Sequence, residues 1–113
     1  EPHQGKPVIV EDNAFLGSAV SVMEGVHVGK GAILGAGVKL TASTRIIDVT
    51  TSEEKTLRGY VPDNAVVIPG SYEKEFPAGK YQVNCALIIG QREEKHDQKL
   101  SLNEALREYG VEM

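Results

Sequence analysis

The feature that most constrains this chain is a six-residue repeat of aliphatic side chains in its first half. Counted in sixes from Val10, every first position is aliphatic, and every fifth position from Ala14 to Thr50 is small or β-branched. The first positions are Val10, Leu16, Val22, Val28, Leu34, Leu40 and Ile46. An α-helix turns by roughly 100° per residue and would scatter these side chains over every face. The repeat therefore indicates extended chain.

Extended chain accounts for both patterned positions of each unit, the aliphatic first and the small or β-branched fifth. Alternate residues of a strand share a face, so the first and fifth positions can both point inward, with a corner between one unit and the next. Three such sides close a triangular coil, and coils stack as parallel strands. We therefore predict Val10 beneath Val28 beneath Ile46, and Leu16 beneath Leu34. Glycine and small polar residues suit the corners.

Charge and hydropathy argue against two classes of partner. The chain has 12 basic and 16 acidic residues and a formal charge of −4, without a basic stripe that could follow a phosphate backbone. We expect no nucleic-acid partner. No apolar run approaches the roughly 20 residues of a membrane span, and the N-terminus lacks a signal-peptide pattern. We expect no membrane association and a cytoplasmic location.

The repeat breaks after Asp48, and the composition changes. A polar stretch at about 48–60 predicts an external loop, after which Val61 to Val67 resumes a partial coil that ends in a turn at Pro69-Gly70. We place the coils in residues 1–71. The first residue is Glu1 rather than methionine, so we expect a piece of a longer protein whose N-terminal region is absent.

Residues 72–113 are predicted to form a C-terminal extension. The segment "KYQVNCALIIGQR" is typical of a strand, and Cys85 within it is predicted to be a small buried hydrophobe rather than a nucleophile. "SLNEALREYG" predicts a short terminal helix, with Ser101 and Glu104 as a capping box and Gly110 as its stop.

Several motifs resemble one enzyme family. They are "EPHQGKPVIVEDNAFLG", "VMEGV", "TASTRIIDVT", "VPDNAVVIPGSY", "FPAGKYQVNCALIIGQR" and "SLNEALRE". Together they are similar to the C-terminal part of tetrahydrodipicolinate N-succinyltransferases, which are hexapeptide-repeat acyltransferases. The resemblance implies an all-β fold, a left-handed parallel β-helix, and a homotrimer with active sites between neighbouring helices. It also implies succinyl transfer from succinyl-CoA to the amine of ring-opened tetrahydrodipicolinate, in lysine and diaminopimelate biosynthesis.

The same resemblance suggests one catalytic residue. The family carries a carboxylate in a "V-V-E-G" type motif, which appears here as Val22-Met23-Glu24-Gly25, so Glu24 is the candidate. A second carboxylate, an aspartate, belongs to an earlier coil that this chain lacks. The substrate amine is protonated at neutral pH, so a carboxylate is needed to hold the cation and help remove its proton. From spacing alone, a solvated corner carboxylate is the favoured interpretation of Glu24, and only the family motif reverses it.

Candidate cofactor contacts lie in "LGAGVKLTASTR" and near the C-terminal strand. Gly35, Ala36 and Gly37 would leave a surface open for pantetheine, and Ser43 and Arg45 could contact its polar or phosphate groups. Lys80 and Arg92 are candidate partners of the 3′-phosphate. Ordinary surface charge is the alternative for each of these charged residues.

The histidines share no metal-ligand spacing. His3, His27 and His96 lie in three separate segments, so we expect no metal site and disfavour a zinc carbonic anhydrase of the same fold. We predict His27 on the outside of the coil, with a general-base role as the alternative.

Two alternatives for the function stay open. Ala19 and Ser21 replace charged residues that many family members carry before the carboxylate motif, which leaves acetyl-CoA as a possible donor for the same substrate. The chain could also be a non-catalytic trimerising β-helix fragment.

Overall fold

The computed structural model describes residues 6–92, and every regular element in that part of the chain is a β-strand. The first six strands hold two residues each, begin six residues apart, and end on an aliphatic first position. The strands are β1 (Ile9–Val10), β2 (Phe15–Leu16), β3 (Ser21–Val22), β4 (His27–Val28), β5 (Ile33–Leu34), β6 (Lys39–Leu40), β7 (Ile46–Asp48), β8 (Lys55–Leu57), β9 (Tyr60–Val61), β10 (Ala65–Phe76) and β11 (Gly79–Gln91). Residues 6–92 contain no helix long and apolar enough to span a membrane.

The short strands stack in parallel to form three walls. The first wall is β1, β4 and β9, the second is β2, β5 and the start of β10, and the third is β3 and β6. Leu16 pairs with Leu34, as predicted, and Leu34 pairs in turn with Val67. Partners in the first two coils are therefore eighteen residues apart, the spacing expected of three six-residue sides.

The prediction that Ile46 lies above Val28 is wrong. Val28 pairs with Val10 on one side and with Val61 on the other. Ile46 begins β7, which pairs antiparallel with β8 and in parallel with β11. The segment predicted as an external loop thus contains a strand that folds back on β7, and the chain returns to the first wall at Tyr60. Ile46 is nevertheless fully buried in the same core.

The predicted turn at Pro69-Gly70 is also wrong, because both residues lie inside β10. β10 and β11 form a long antiparallel hairpin that turns at 77–78. β10 pairs with β5 only at Val66 and Val67, so Pro69 lies on a strand edge, where a missing N–H is tolerated. A Cβ at Gly70 would lie 2.6 Å from the Leu87 Cγ, so glycine here admits a side chain from the partner strand.

The core is built from first and fifth positions of the repeat. Val28, Leu34 and Leu40 have no exposed surface, and the fifth positions Val26 and Val38 are equally enclosed. At the lower end of the stack no further strand covers the walls within the described residues, so Val10 and Leu16 are exposed and Val22 is half-buried. The inward alternation predicted from the sequence is therefore what fills the coil.

The fourth position of each of the first five units forms a corner and takes a positive φ angle. This holds for Asn13, Ala19, Gly25, Gly31 and Gly37. Ala19, with a φ of 58°, is the one member of this set with an apolar side chain, and such a conformation costs roughly 1–2 kcal/mol for an L-residue. The corners are thus strained positions that glycine and asparagine relieve.

Cys85 lies in β11 with 2% of its surface exposed, which confirms the prediction of a buried hydrophobe. Burial raises the pKa of its thiol, with a smaller opposing effect of Arg45. A thiol in this state is a poor nucleophile at neutral pH. The predicted terminal helix lies outside the described residues.

Leucines in one column of the second wall provide a test of the stack. Leu34 has no exposed surface, whereas Leu16, directly beneath it, is 45% exposed. We expect Leu34→Ala in the 113-residue chain to lower the free energy of unfolding by about 2–5 kcal/mol, because it leaves a cavity between coils. The matched Leu16→Ala change should cost about 1 kcal/mol or less. Equal losses in urea unfolding would contradict the stacking order.

Candidate functional site

The turns between strands align as three corner columns. The first column contains turns 12–13, 30–31 and 63–64, the second contains 18–19 and 36–37, and the third contains 24–25 and 42–43. Backbone bonds connect the turns within a column. The Gly31 N–H donates to the Asp12 carbonyl at 2.9 Å, and the Gly37 N–H donates to the Ser18 carbonyl at 2.9 Å. The first two columns are therefore joined from turn to turn by backbone bonds.

The third corner column holds Glu24 and Ser43. Both are exposed, and their turns are in contact, since a Cβ at Gly25 would lie 3.1 Å from the Ala42 Cβ. The Arg58 Nε donates to the Ser43 carbonyl at 3.3 Å. The structure thus brings one predicted carboxylate, one predicted hydroxyl and an unpredicted cation to the same edge of the coil.

Ser43 belongs to a small group of hydroxyls at this corner. The Thr41 Oγ1 lies 2.9 Å from the Thr44 Oγ1 and 3.3 Å from the Ser43 Oγ, and the Thr41 N–H donates to the Thr44 Oγ1 at 2.9 Å. These bonds hold the corner in one conformation. Arg58 could not be predicted as part of it, because it lies fifteen residues from Ser43 in the sequence.

Gly35, Ala36 and Gly37 lie in the second corner column, away from Glu24. The Gly35 N–H donates to the Val67 carbonyl at 2.8 Å, and the Gly37 N–H is taken by Ser18. These two amides hold neighbouring coils together. A cofactor on this surface would therefore have to bond to other backbone groups. In one protomer, the structure does not bring the glycine surface and Glu24 to the same corner.

Arg45 and Lys80 both lie by the β10–β11 hairpin. The Arg45 guanidinium carbon is 4.2 Å from the centre of the Tyr72 ring, and the side chain is half-buried. Lys80 is exposed and lies 3.8 Å from a Glu73 carboxylate oxygen. An exposed ion pair of this length contributes little to stability, so Lys80 is free to reorient towards a ligand.

Arg92 occupies a different environment from the one expected of a surface phosphate contact. It is 8% exposed, and its Nη1 donates to the carbonyls of Asn13 at 3.1 Å and Gly31 at 3.3 Å. The guanidinium also stacks over the Phe15 ring at 4.9 Å. Arg92 thus joins two turns of the first corner column, and its contacts are those of a structural residue.

His27 lies on the outer face of the first wall, as expected. Its Nε2 contacts a Glu11 carboxylate oxygen, and its ring meets the Tyr60 ring edge to face at 5.4 Å. Across residues 6–92, no group of three His, Cys, Asp or Glu side chains lies close enough to hold a metal ion.

A pocket of about 320 Å³ lies between the β7–β8 hairpin, β11 and the 62–63 corner, and none of the predicted site residues lines it. Asp48 and Asp63 are at its polar edge, and Ile88 and Pro62 form part of its apolar surface. Hydrogen bonds from the Thr50 hydroxyl and N–H, at 2.6 and 2.9 Å, lower the pKa of the Asp48 carboxyl, with a smaller contribution from Lys55.

The first coils of the chain are similar in sequence to a known family. Residues 7–42 match the family described as "Hexapeptide repeat of succinyl-transferase". Residues 7–42 are therefore similar to the hexapeptide repeats of that family. Relatives extend the similarity over nearly the whole chain, which confirms the resemblance found in the sequence motifs.

The similar relatives are named 2,3,4,5-tetrahydropyridine-2,6-dicarboxylate N-succinyltransferase, and three of them serve as examples. The protein from Wolbachia sp. subsp. Brugia malayi is 45% identical over 96% of this chain and 38% of its own length. Those from Zymomonas mobilis and Afipia carboxidovorans are 48% and 49% identical over 96% of this chain and 40% and 39% of theirs. The chain therefore spans about two fifths of the length of these curated relatives.

The role of Arg92 can be tested by a substitution that keeps its charge. Arg92→Lys should lower the free energy of unfolding by about 1–2 kcal/mol, since a lysine ammonium loses the planar stacking on Phe15 that holds the Arg92 Nη1 against two carbonyls. Arg58→Lys, at an exposed site, serves as the control and should cost about 0.5 kcal/mol or less. Unchanged stability together with weaker acyl-CoA binding would instead support the phosphate contact.

Asp48 predicts a dependence of stability on pH. Because its folded pKa lies below the unfolded value, its contribution is present above the unfolded pKa and is lost as pH falls through the folded pKa. We expect Asp48→Asn to be less stable than the parent by about 1 kcal/mol or less at neutral pH. The difference should shrink on acidification below about pH 4. A difference that stays constant in acid denaturation would exclude this account.

Proposed function

We propose that the protein carrying this chain is an acyltransferase that moves a succinyl group from succinyl-CoA to the amine of ring-opened tetrahydrodipicolinate, in lysine and diaminopimelate biosynthesis. The observation that carries the proposal is the match of the named N-succinyltransferases across 96% of the chain. The stacked coils add support, because they display the hexapeptide units that residues 7–42 share with that family.

The proposal includes an architecture and an assembly. We infer that the coils of residues 1–71 form a left-handed parallel β-helix, that 72–113 form an extension, and that three copies assemble around clefts. Support for the assembly comes from geometry: Glu24, the Gly35–Gly37 surface and Arg45 lie at different places on one protomer. A cleft between neighbouring copies could bring separate corners together. We also propose a cytoplasmic location, where CoA esters are available.

In the proposed reaction, Glu24 holds the substrate ammonium and accepts one of its protons. The neutral nitrogen then attacks the thioester carbonyl, and the oxyanion intermediate expels the CoA thiolate as the carbonyl re-forms. The amide nitrogen loses its remaining extra proton, and the thiolate is protonated. Glu24 is exposed in a single protomer, so closure of a cleft over it would strengthen its attraction for the cation.

Arg58 adds a carboxylate-binding group to the corner that holds Glu24. Its guanidinium is the cation that the structure adds to the edge holding Glu24 and Ser43. The proposed substrate carries carboxylates as well as an amine, and guanidinium groups bind carboxylates well. We propose that Arg58 attracts a substrate carboxylate while Glu24 takes the amine, compensating in part for the charges absent at Ala19 and Ser21.

A thiol-release assay on full-length protein tests the donor and the role of Glu24 together. We expect succinyl-CoA to be used in preference to acetyl-CoA, and Glu24→Gln to lower the rate by about a hundredfold or more, because the amide cannot accept the proton. Glu53→Gln, another exposed carboxylate, is the matched control and should leave the rate unchanged.

Each other outcome supports a different alternative. Equal rates for Glu24→Gln and the parent would remove Glu24 from the mechanism. A preference for acetyl-CoA would identify the related acetyl transfer to the same substrate. No thiol release with either donor would favour the non-catalytic trimerising fragment.

A further inference from the structure

The outer part of the β10–β11 hairpin has unpaired strand edges. β10 pairs with β5 only at Val66 and Val67, and β11 pairs with β7 only from Ala86 to Ile88. Between these contacts and the turn, the two strands pair with one another alone within the described residues. Because alternate residues of a strand point to opposite sides, the side chains of this segment form two separate faces.

One of these faces combines aromatic rings with cations. We call it the cation–aromatic face; it consists of Tyr72, Lys74, Phe76 and Tyr81 with Arg45 at its base. The Lys74 Nζ lies 5.4 Å from the centre of the Phe76 ring, and the Phe76 and Tyr81 rings meet at 6.0 Å. Phe76 is 39% exposed and Tyr81 is 53% exposed. Rings and charges thus alternate from the base of the hairpin to its end.

The charges on the two faces differ. Glu73, Glu75 and Lys80 project from the opposite face, where Lys80 approaches Glu73. Within residues 6–92, neither Arg45 nor Lys74 forms an ion pair with a carboxylate. The cation–aromatic face therefore carries positive charge without a counter-ion, beside exposed rings. A flat, polyanionic ligand can stack on the rings and neutralise the two cations, whereas an apolar protein surface would leave both cations without a counter-ion.

We propose that the cation–aromatic face binds the nucleotide end of the acyl-CoA, which is an adenosine bearing a 3′-phosphate and a 5′-diphosphate. The base stacks on Tyr81, and Lys74 and Arg45 neutralise phosphates. This inference rests on the proposed function, since that function supplies the ligand. It adds Tyr81 and Lys74 to Arg45, which the sequence had suggested, and it places Lys74 rather than Arg92 at a phosphate.

Binding of adenosine 3′,5′-bisphosphate to the protein, measured by calorimetry at low salt, tests the proposal directly. Tyr81→Ala should raise the Kd about tenfold through loss of stacking. Lys74→Gln should raise it about fivefold through loss of one cation. Tyr81→Phe and Lys74→Arg should retain binding, because they keep the ring and the charge.

Two controls separate local from general effects. Lys30→Gln removes the same charge from the first corner column, and Asn84→Ala alters the opposite face of the hairpin. Neither should change the Kd. Pantetheine, which lacks the nucleotide, should bind all variants alike.

The proposal would be overturned if Tyr81→Ala and Lys74→Gln bound the bisphosphate as the parent does. It would also be overturned if Tyr81→Ala changed the oligomer mass in light scattering while Lys74→Gln kept parental affinity, since that pair of results identifies a subunit contact. Parental thiol release with an unchanged KM for succinyl-CoA in both variants would reject the nucleotide site and leave the proposed function intact. If the parent released no thiol from succinyl-CoA but still bound the bisphosphate, the proposed function would be rejected and the nucleotide site would be retained.

Discussion

The structure depends on backbone hydrogen bonding between coils, which is possible only if each coil repeats the path of the one below. A two-residue strand cannot stand alone, so its N–H and carbonyl groups must find partners above and below. The Gly35 and Gly37 amides show this, since each donates to a neighbouring coil. The aliphatic first positions then fall in columns, and burial of residues such as Leu34 follows from the register.

This constraint also determines where function can reside. The interior of the coil is filled by aliphatic side chains, so chemistry is restricted to corners, outer faces and the hairpins that leave the stack. Glu24 and Arg58 reach a single corner, although they come from different coils. The cation–aromatic face lies on a hairpin that continues the second wall beyond its last coil. In the proposed function, one corner of the scaffold thus serves the amine and a carboxylate of the substrate, and a separate face serves the nucleotide.

Much of the fold could be predicted because the repeat is local and its period is unambiguous. The pairing of Leu16 with Leu34 follows from the six-residue period, and the burial of Cys85 follows from its place in an apolar strand segment. The prediction that Ile46 stacks on Val28 is wrong because counting in sixes cannot detect a strand that folds back. β8 pairs with β7, and the position above Val28 is taken by a later strand. Pro69-Gly70 was misread because a dipeptide typical of turns also suits a strand edge that must admit Leu87.

For the candidate site, the sequence by itself determined the residue types, the corner positions and the resemblance to N-succinyltransferases, since these depend on local spacing and on motifs. Only the tertiary structure decided which of those residues are available. Arg92 is engaged by carbonyls of two stacked turns, and Arg58, which follows a hairpin that no repeat predicts, bonds to Ser43 at the corner that also holds Glu24. The reason is physical: a hexapeptide period specifies where a side chain lies within its own coil, whereas its partners are contributed by chain segments distant in the sequence.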